Sequence, residues 1–535
     1  MASPGRSSTG RPPALLAATG AAIGVAFAAP LLYLAWRTAT GDEDLVDLYT
    51  SPATLEPLRN SLVLAVAAAL SSAVAGTGLA WLTTRTDLPL RRLWATLAAL
   101  PLVFPSFVGA LALTAALSPG GLLEGPLGLV GAEPRRPEGF WGAWLVLTLF
   151  TTPYVLLPVS ARMAALPASL EESARLLGRR PVAVFRTVVF PQVRGAVAAG
   201  SLLVFLYALS DFGVVVILRY DTLTRAIYTN RLLDRDRSVA LGLLLAVLAV
   251  LVVAAERAAA RRGLVEEGPR TRTGLQVPLG RWRWPALAAV VAWVVAGLGG
   301  PLASLSLWAW RGLTGKGSAL ARNRDGLAGL TEPALNTAGI SLVTAVVAVA
   351  VLLPLAYLSV RYRARAGDLA SGLVASGFAL PGVVIALAVV FWTIQLPPSW
   401  GLYQSYVMLV FAYVVHLGAQ SLRAAQVAVA AVPRRLDESA RMLGAGRTRR
   451  FVTVDLPLMA PGLAAGGGLV LLSTMKELPI TLLTAPIGFR TLTTRIWADI
   501  ESAFLAEAAL ASLVLVAVSG VLTWVLVVRR ADRLA

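Results

Sequence analysis

Long apolar stretches alternate with short polar segments along the whole chain. Because about 20 residues of α-helix cross the hydrocarbon core of a bilayer, each long stretch predicts a membrane span. In the first half of the chain the predicted spans are 14–36, 60–84, 93–117, 141–163, 193–218 and 239–255. In the second half they are 285–310, 338–360, 369–394, 405–427, 462–485 and 507–528. The pattern predicts an all-α polytopic membrane protein with about 12 transmembrane helices.

The polar segments divide the spans into two similar units. We predict a disordered basic tail at 1–13, a first six-span unit at 14–255, a cytoplasmic basic linker at 256–284 and a second six-span unit at 285–535. Both units run in the same direction with the same number of spans. They therefore have the same topology, and we expect a pseudo-twofold axis along the membrane normal to relate them.

Composition agrees with a membrane protein and excludes several kinds of site. The chain is 57% apolar and 14% charged, whereas soluble domains are about 45–50% apolar and about 25% charged. It contains no cysteine, so disulfides and thiolate chemistry are excluded. The single histidine, His416, excludes a histidine cluster, and we interpret it as a packing or hydrogen-bonding residue. We find no catalytic dyad and predict no catalytic residue, bound cofactor or stable metal site.

The net charge of +18 comes mainly from arginines in short loops beside the spans. Loops of this kind remain on the cytoplasmic side of a membrane, so the charge indicates orientation and not nucleic-acid binding. We expect both termini to be cytoplasmic. The predicted location is the bacterial plasma (inner) membrane.

Two polar runs, 167–191 and 433–457, repeat each other at one constant spacing, which we call the downstream offset. In each run a helix-prone segment is followed by glycine, Gly178 or Gly444, which ends the helix in a left-handed turn. A second short helix should then end at the proline that closes the run, before the chain re-enters the bilayer. Duplication in register favours a binding element over a simple connector.

Further positions upstream of the polar runs repeat at a slightly larger spacing, which we call the upstream offset. Asn60 and Asn336 match at this offset, and we expect them to cap helices or to bond between helices. Prolines and a glycine interrupt matching spans, where they either loosen helices that rock during transport or break the helices at matching packing sites. These interrupting residues are Pro101, Pro105, Pro381 and Gly382.

The polar runs resemble the coupling signature of bacterial ABC importer permeases, in which Glu-x-Ala is followed by glycine and then by proline. Serine replaces the first alanine in both copies, and Phe190 replaces a leucine. The matching residues are Glu172, Ser173, Ala174, Gly178 and Pro191 in the first copy and Glu438, Ser439, Ala440, Gly444 and Pro457 in the second. The resemblance implies two fused permease repeats, each with one helix that docks on an ATPase.

This resemblance also implies partners. A cytoplasmic ABC ATPase, expected as a homodimer with one subunit per coupling helix, would use ATP and Mg²⁺. An extracellular or periplasmic binding protein would deliver the cargo. The chain itself lacks a Walker phosphate-binding pattern, so we predict that it is not an enzyme. We expect no nucleic-acid partner.

Two carboxylates in the spans, Asp211 and Glu477, match each other at the downstream offset. The pseudo-twofold would place them opposite each other, so we predict a translocation pathway that includes Ser210 and Lys476 and allows transient metal contact at the two carboxylates. Alternatively, the carboxylates reach water near the outer ends of their spans, or Lys476 only neutralises Glu477.

The sequence around the carboxylates resembles ferric-iron importer permeases, and carboxylate oxygens suit hard cations. Ferric iron is therefore the leading cargo. Thiamine, 2-aminoethylphosphonate or another small organic solute is the alternative, while an acidic lining argues against sulfate and molybdate. An ion-coupled secondary carrier also has twelve spans in two halves, but it has no need of duplicated coupling helices.

Overall fold

The structure is a computed structural model that describes residues 12–41, 44–129, 131–261, 276–314, 328–362 and 364–523. Within these ranges it consists of helices, turns and one isolated bridge between Thr86 and Val277. The all-α prediction is confirmed. Most of the predicted basic tail, much of the linker and the end of the last predicted span lie outside the described residues.

In the first half of the chain a helix begins near the start of each predicted span, and further helices lie between or inside the predicted spans. They are α1 (Ala14–Thr40), α2 (Leu45–Thr50), α3 (Pro52–Arg85), α4 (Arg91–Ala99), α5 (Ser106–Leu117), α6 (Glu124–Leu129), α7 (Phe140–Thr151), α8 (Pro153–Ala164), α9 (Ala168–Leu176), α10 (Pro181–Val184), α11 (Phe190–Ser210), α12 (Gly213–Ile217), α13 (Leu223–Asn230) and α14 (Arg235–Arg261).

The second half repeats this order from its second span onward. Its helices are α15 (Arg283–Val294), α16 (Gly300–Thr314), α17 (Thr331–Val360), α18 (Arg365–Ala379), α19 (Gly382–Ile394), α20 (Tyr406–Ala431), α21 (Arg434–Met442), α22 (Arg447–Arg450), α23 (Leu456–Met475), α24 (Pro479–Thr484), α25 (Leu492–Glu501) and α26 (Leu505–Thr523).

Among the described residues, ten helical stretches are long and apolar enough to cross a membrane. Two further stretches, at the predicted spans 93–117 and 369–394, are helix pairs bent by 99° and 108°. Each bend lies at a proline, Pro105 or Pro381, whose preceding residue is extended. Proline disfavours the helical conformation in the residue before it, so these prolines break their helices, which is one of the two alternatives expected from the sequence.

The predicted spans 193–218 and 462–485 were also too long. The spanning helices α11 and α23 end at Ser210 and Met475, and the short helices α12 and α24 follow after a break. Helices α13 and α25 then lie in the segments between one predicted span and the next. The carboxylates Asp211 and Glu477 therefore lie at helix breaks and not inside continuous spans.

Pro191 and Pro457 do not break their helices, contrary to the prediction. A π-helical turn precedes each proline, Phe185–Val189 in the first half and Phe451–Asp455 in the second, and the helix then continues into the span. Proline lacks the N–H that an α-helix requires. The wider turn shifts the hydrogen-bond register, so the chain passes the proline without ending the helix.

Each half has a central group of three packed helices, α3, α8 and α11 in the first half and α17, α20 and α23 in the second. The opening helix of each half packs on the opposite half. Helix α1 contacts α17, α18 and α19, while α16 contacts α5. The halves are thus joined by exchanged helices, and the buried helices α5 and α19 lie between them.

Candidate functional site

The helices α9 and α21 carry the duplicated signature, and both end in the same way. Gly178 and Gly444 have φ values of +76° and +79°, the left-handed conformation that glycine adopts without strain. In the first copy the N–H of Arg179 donates to the Ala174 carbonyl oxygen at 3.2 Å, which satisfies an orphan carbonyl at the end of the helix. Both predicted glycine turns are present.

The tips of these two helices expose apolar side chains to solvent. Leu176 and Leu177 are 88% and 79% exposed, and their counterparts Met442 and Leu443 are both 88% exposed. Their exposure was not predicted from the sequence. Large apolar side chains directly before a glycine turn, inside a polar run, were the available signal.

The acidic residues of the signature point outward. Glu172 and Glu438 are exposed in both copies, as is the serine that follows each of them, whereas Ala174 is buried against the body of the protein. The outer surface of each helix therefore combines a carboxylate with an apolar tip. Such a surface suits a protein partner.

Asp211 occupies the break between α11 and α12. Its Oδ1 accepts the N–H of Val214 at 2.9 Å, and its Oδ2 accepts the hydroxyl of Ser106 at 2.5 Å. Ser106 is the first residue of α5, immediately after the bend at Pro105. Asp211 therefore caps α12 and connects the break between α11 and α12 to the bend at Pro105.

Glu477 occupies the corresponding break between α23 and α24. Its Oε1 accepts the N–H of Ile480 at 3.1 Å. Gly382 takes the position of Ser106 at the upstream offset, and a Cβ added to this glycine would lie 2.5 Å from Glu477 Oε1. The longer Glu477 side chain thus extends to the position that corresponds to the Ser106 side chain in the first half.

Lys476 connects the two halves. Its Nζ donates to the carbonyl oxygen of Leu102 at 2.9 Å, just before the bend in the first half. Lys476 and Glu477 are both described, and no ion pair between them is present. The alternative in which Lys476 only neutralises its neighbour is therefore not what the structure contains.

Other contacts place the two carboxylates near the boundary between the halves. The rings of Phe212 and Trp497 lie 5.3 Å apart across this boundary. Asp211 is buried, with 7% of its surface exposed. Ser210 is half-buried at the end of α11. All four predicted pathway residues thus lie at the paired breaks, and Ser106 and Leu102 are neighbours that sequence reasoning missed.

The matched asparagines hold the outer segments in place. Asn60 Nδ2 donates to the Asp221 carbonyl oxygen at 2.9 Å, and Asn336 Nδ2 donates to the Arg490 carbonyl oxygen at 2.9 Å. In each copy the hydroxyl of the next residue accepts the first N–H of α13 or α25 at 2.8 Å. The predicted bonding role is therefore present in both halves.

The described residues contain no group of three histidine, aspartate or glutamate side chains that would hold a metal ion. His416 is half-buried in α20, and its Nδ1 has no hydrogen-bond partner among the described residues. Of the two roles predicted for it, packing is the one that its surroundings favour.

Comparison with known proteins gives the family. The model of the binding-protein-dependent transport system inner membrane component matches residues 72–263 and 349–533, one match in each half. The chain is 29% identical to the Fe(3+)-transport system permease protein FbpB 2 of Haemophilus influenzae, over 96% of this chain and 97% of that protein.

Other relatives match only part of the chain. The molybdenum transport system permease protein ModB of Mycobacterium bovis is 33% identical over 38% of this chain and 80% of its own length. The sulfate transport system permease protein CysT of Synechococcus elongatus is 31% identical over 32% of this chain and 61% of its own length. With two matches that together cover most of its length, the chain belongs to the family of binding-protein-dependent transport system inner membrane components, as a multi-pass permease with two repeats.

Proposed function

We propose that this permease imports ferric iron that a binding protein delivers from outside the membrane. The observation that carries the proposal is the extent of similarity. The ferric-iron permease matches nearly the whole chain, whereas the molybdenum and sulfate permeases each match about a third of it. A fused two-repeat chain of this length is shared with the ferric-iron relative.

We propose that α9 and α21 each dock on one subunit of a separate, homodimeric ABC ATPase, which uses ATP and Mg²⁺. The support is the duplicated outer surface, in which an exposed glutamate, Glu172 or Glu438, lies beside an exposed apolar tip. The serine and alanine after each glutamate, the glycine turn, and the proline at the start of the span would hold this surface in position. In this arrangement both termini are cytoplasmic.

The pathway in this proposal runs between the halves, past Ser210, Asp211, Lys476 and Glu477. Carboxylate oxygens attract a hard trivalent cation, and one carboxylate from each half provides transient contacts without forming a closed metal site. The cation would compete with the backbone N–H groups that donate hydrogen bonds to each carboxylate. Binding would therefore loosen both helix breaks as the cargo passes.

A second candidate cargo is a small anionic solute such as 2-aminoethylphosphonate. Lys476 supports it, because an ammonium group at the boundary between the halves favours an anion. Thiamine, an organic cation, would depend on the two carboxylates alone. The anionic cargo therefore needs Lys476, whereas ferric iron and thiamine both need the two carboxylates.

The test is uptake into proteoliposomes that contain this permease together with its partner ATPase and binding protein. We expect ATP-dependent uptake of ferric iron that excess thiamine and 2-aminoethylphosphonate do not inhibit. Uptake of either organic solute in place of iron would overturn the cargo assignment. Uptake that continues without the ATPase but stops with a proton uncoupler would indicate a secondary carrier instead.

The same assay tests the pathway with the double variant Asp211→Asn and Glu477→Gln. Each amide keeps an oxygen that accepts the helix N–H, so the caps persist while the charges are lost. We expect ferric uptake to fall about tenfold, equivalent to about 1.4 kcal/mol of cargo interaction. The ATPase should remain bound. Unchanged uptake would show that the carboxylates are structural caps only.

A further inference from the structure

A buried ion pair fastens the first coupling helix to the membrane body. The guanidinium Nη1 of Arg85 lies 3.1 Å from Glu171 Oε1, and the two side chains are only 2% and 4% exposed. Arg85 is the last residue of α3, and Glu171 lies in the first turn of α9. Ion pairs at protein surfaces are usually solvated, so this degree of burial is unusual.

Arg85 joins three elements at one point. Besides the ion pair with Glu171, its Nη2 donates to the carbonyl oxygen of Met163, near the end of α8. Helices α3 and α8 belong to the central group of the first half and pack against each other and against α11. A displacement of α9 would therefore reach two core helices through one guanidinium group.

Adjacent acidic residues on α9 face opposite directions. Glu171 is buried with Ala174 on the inner face, whereas Glu172 is exposed on the outer face. Burial raises the pKa of the Glu171 carboxyl, and the charges of Arg85 and Arg175 oppose that rise. Glu171 thus contacts the rest of the protein, while Glu172 is available to a partner.

The second half has an arginine at the matching position. Arg361 matches Arg85 at the upstream offset and donates to the Val432 carbonyl oxygen at 3.1 Å, immediately before α21 begins. An arginine at the end of the second span of each repeat therefore bonds to the segment that carries the coupling helix.

We propose that Arg85 and Glu171 form the joint that transmits movement of the first coupling helix to α3 and α8. Both are positioning residues, because neither lies on the outer surface of α9. This inference rests on the proposed function, in which an ATPase moves α9. It assigns the neighbouring acids separate tasks, docking for Glu172 and force transmission for Glu171.

The test compares Glu171→Gln and Arg85→Gln with the exchange variant Arg85→Glu with Glu171→Arg, in the full permease–ATPase complex. We expect the ATPase to co-purify at the wild-type level with the single variants. Cargo taken up per ATP hydrolysed should fall about fivefold, within the usual range of coupling between sites. The exchange variant should recover at least part of this ratio, because it restores an ion pair.

The matched control is Glu172→Gln, which should release the ATPase and leave the packing of α9 unchanged. A wild-type transport ratio in Glu171→Gln and Arg85→Gln would overturn the joint. Hydrogen exchange of α9 in the isolated permease provides a readout that needs no partner. Faster exchange in Glu171→Gln supports the joint, and unchanged exchange contradicts it, even if the ATPase assignment itself fails.

Discussion

We call the contacts of Asp211 and of Glu477 at the two helix breaks the carboxylate joints. The two joints have the same geometry but are built from different neighbouring residues. In the first half, Asp211 caps α12 and receives the hydroxyl of Ser106 at 2.5 Å. In the second half, Glu477 caps α24, and its longer side chain extends over Gly382, which has no side chain to oppose it. Glu477 has one methylene group more than Asp211, and Gly382 lacks the hydroxymethyl group that Ser106 has on the facing helix.

This comparison shows what the two repeats preserve. The break in the spanning helix, the carboxylate cap and the contact with the bent pair are all present twice, while the identities of the contacting residues differ. The total space filled at the joint is thus similar in both halves, in keeping with the close packing of protein interiors. The first joint has an additional hydrogen bond to a charged group, so we expect it to be the more strongly held.

The largest effect is expected when Ser106 is replaced by glycine. Ser106→Gly removes a buried hydrogen bond to the Asp211 carboxylate, which should cost about 1.5–3 kcal/mol of stability. Adding Asp211→Glu recreates the arrangement of the second half and should recover much of the loss. Thermal unfolding of the purified permease in detergent, as a double-mutant cycle, measures the coupling between the two changes.

The mirror pair in the second half is the control. Gly382→Ser should displace the Glu477 carboxylate from its cap and cost about 1 kcal/mol, and Glu477→Asp should compensate. If the changes in either half prove additive, with no recovery in the double variants, the joints are not the matched pairs that we describe.

An effect smaller than that of Ser106→Gly is expected at the two glycine turns, which have the same conformation in both halves. Gly178→Val and Gly444→Val each place a branched side chain at positive φ, at a cost of about 1–2 kcal/mol. Apart from the glycine and its chain neighbours, no atom of the described residues lies within 4 Å of an added Cβ at either position, so the cost is confined to the backbone. We expect equal loss of ATPase retention from the two variants.

Gly446→Ala is the matched control for the turns. Gly446 has a φ of −64° and no atom within 4 Å of an added Cβ, so alanine should be accepted without strain. If Gly178→Val and Gly444→Val retain the ATPase as well as Gly446→Ala does, the left-handed turns have no part in docking.

Much of the architecture was predictable because duplication leaves a measurable offset in the sequence. The two offsets located both coupling helices, their glycine turns and the matched asparagines Asn60 and Asn336, whose bonds the structure contains. Hydropathy also located most spans. These features depend on local residue chemistry or on spacing, and both can be read from the sequence alone.

The helix breaks were not predictable from hydropathy alone, since an apolar window gives the same signal whether its helix is straight or bent. Pro105 was noted, but proline inside a span is compatible with a mild kink, and the 99° bend depends on tertiary packing. Pro191 shows the reverse case, in which a π-helical turn lets the helix continue. Residue type alone does not distinguish the two outcomes.

Contacts between distant residues needed the structure. Arg85 was counted among the loop arginines that set orientation, and nothing local indicated that it is buried against Glu171. The two offsets together contained a signal. Arg85 and Arg361 match at the upstream offset, while Glu171 and Asp437 match at the downstream offset, so the acid–arginine combination is itself repeated in the sequence.

The most direct test of the central claim is site-directed cross-linking from the two helix tips to the ATPase. The chain contains no cysteine, so Leu177→Cys and Leu443→Cys each introduce a unique thiol. Leu233→Cys, at a site that is 86% exposed beyond α13, is the control for the opposite face. We predict that both tips cross-link to the ATPase, that the double variant captures two subunits per permease, and that Leu233→Cys captures none. Reactive thiols at both tips that fail to capture the ATPase would contradict the account.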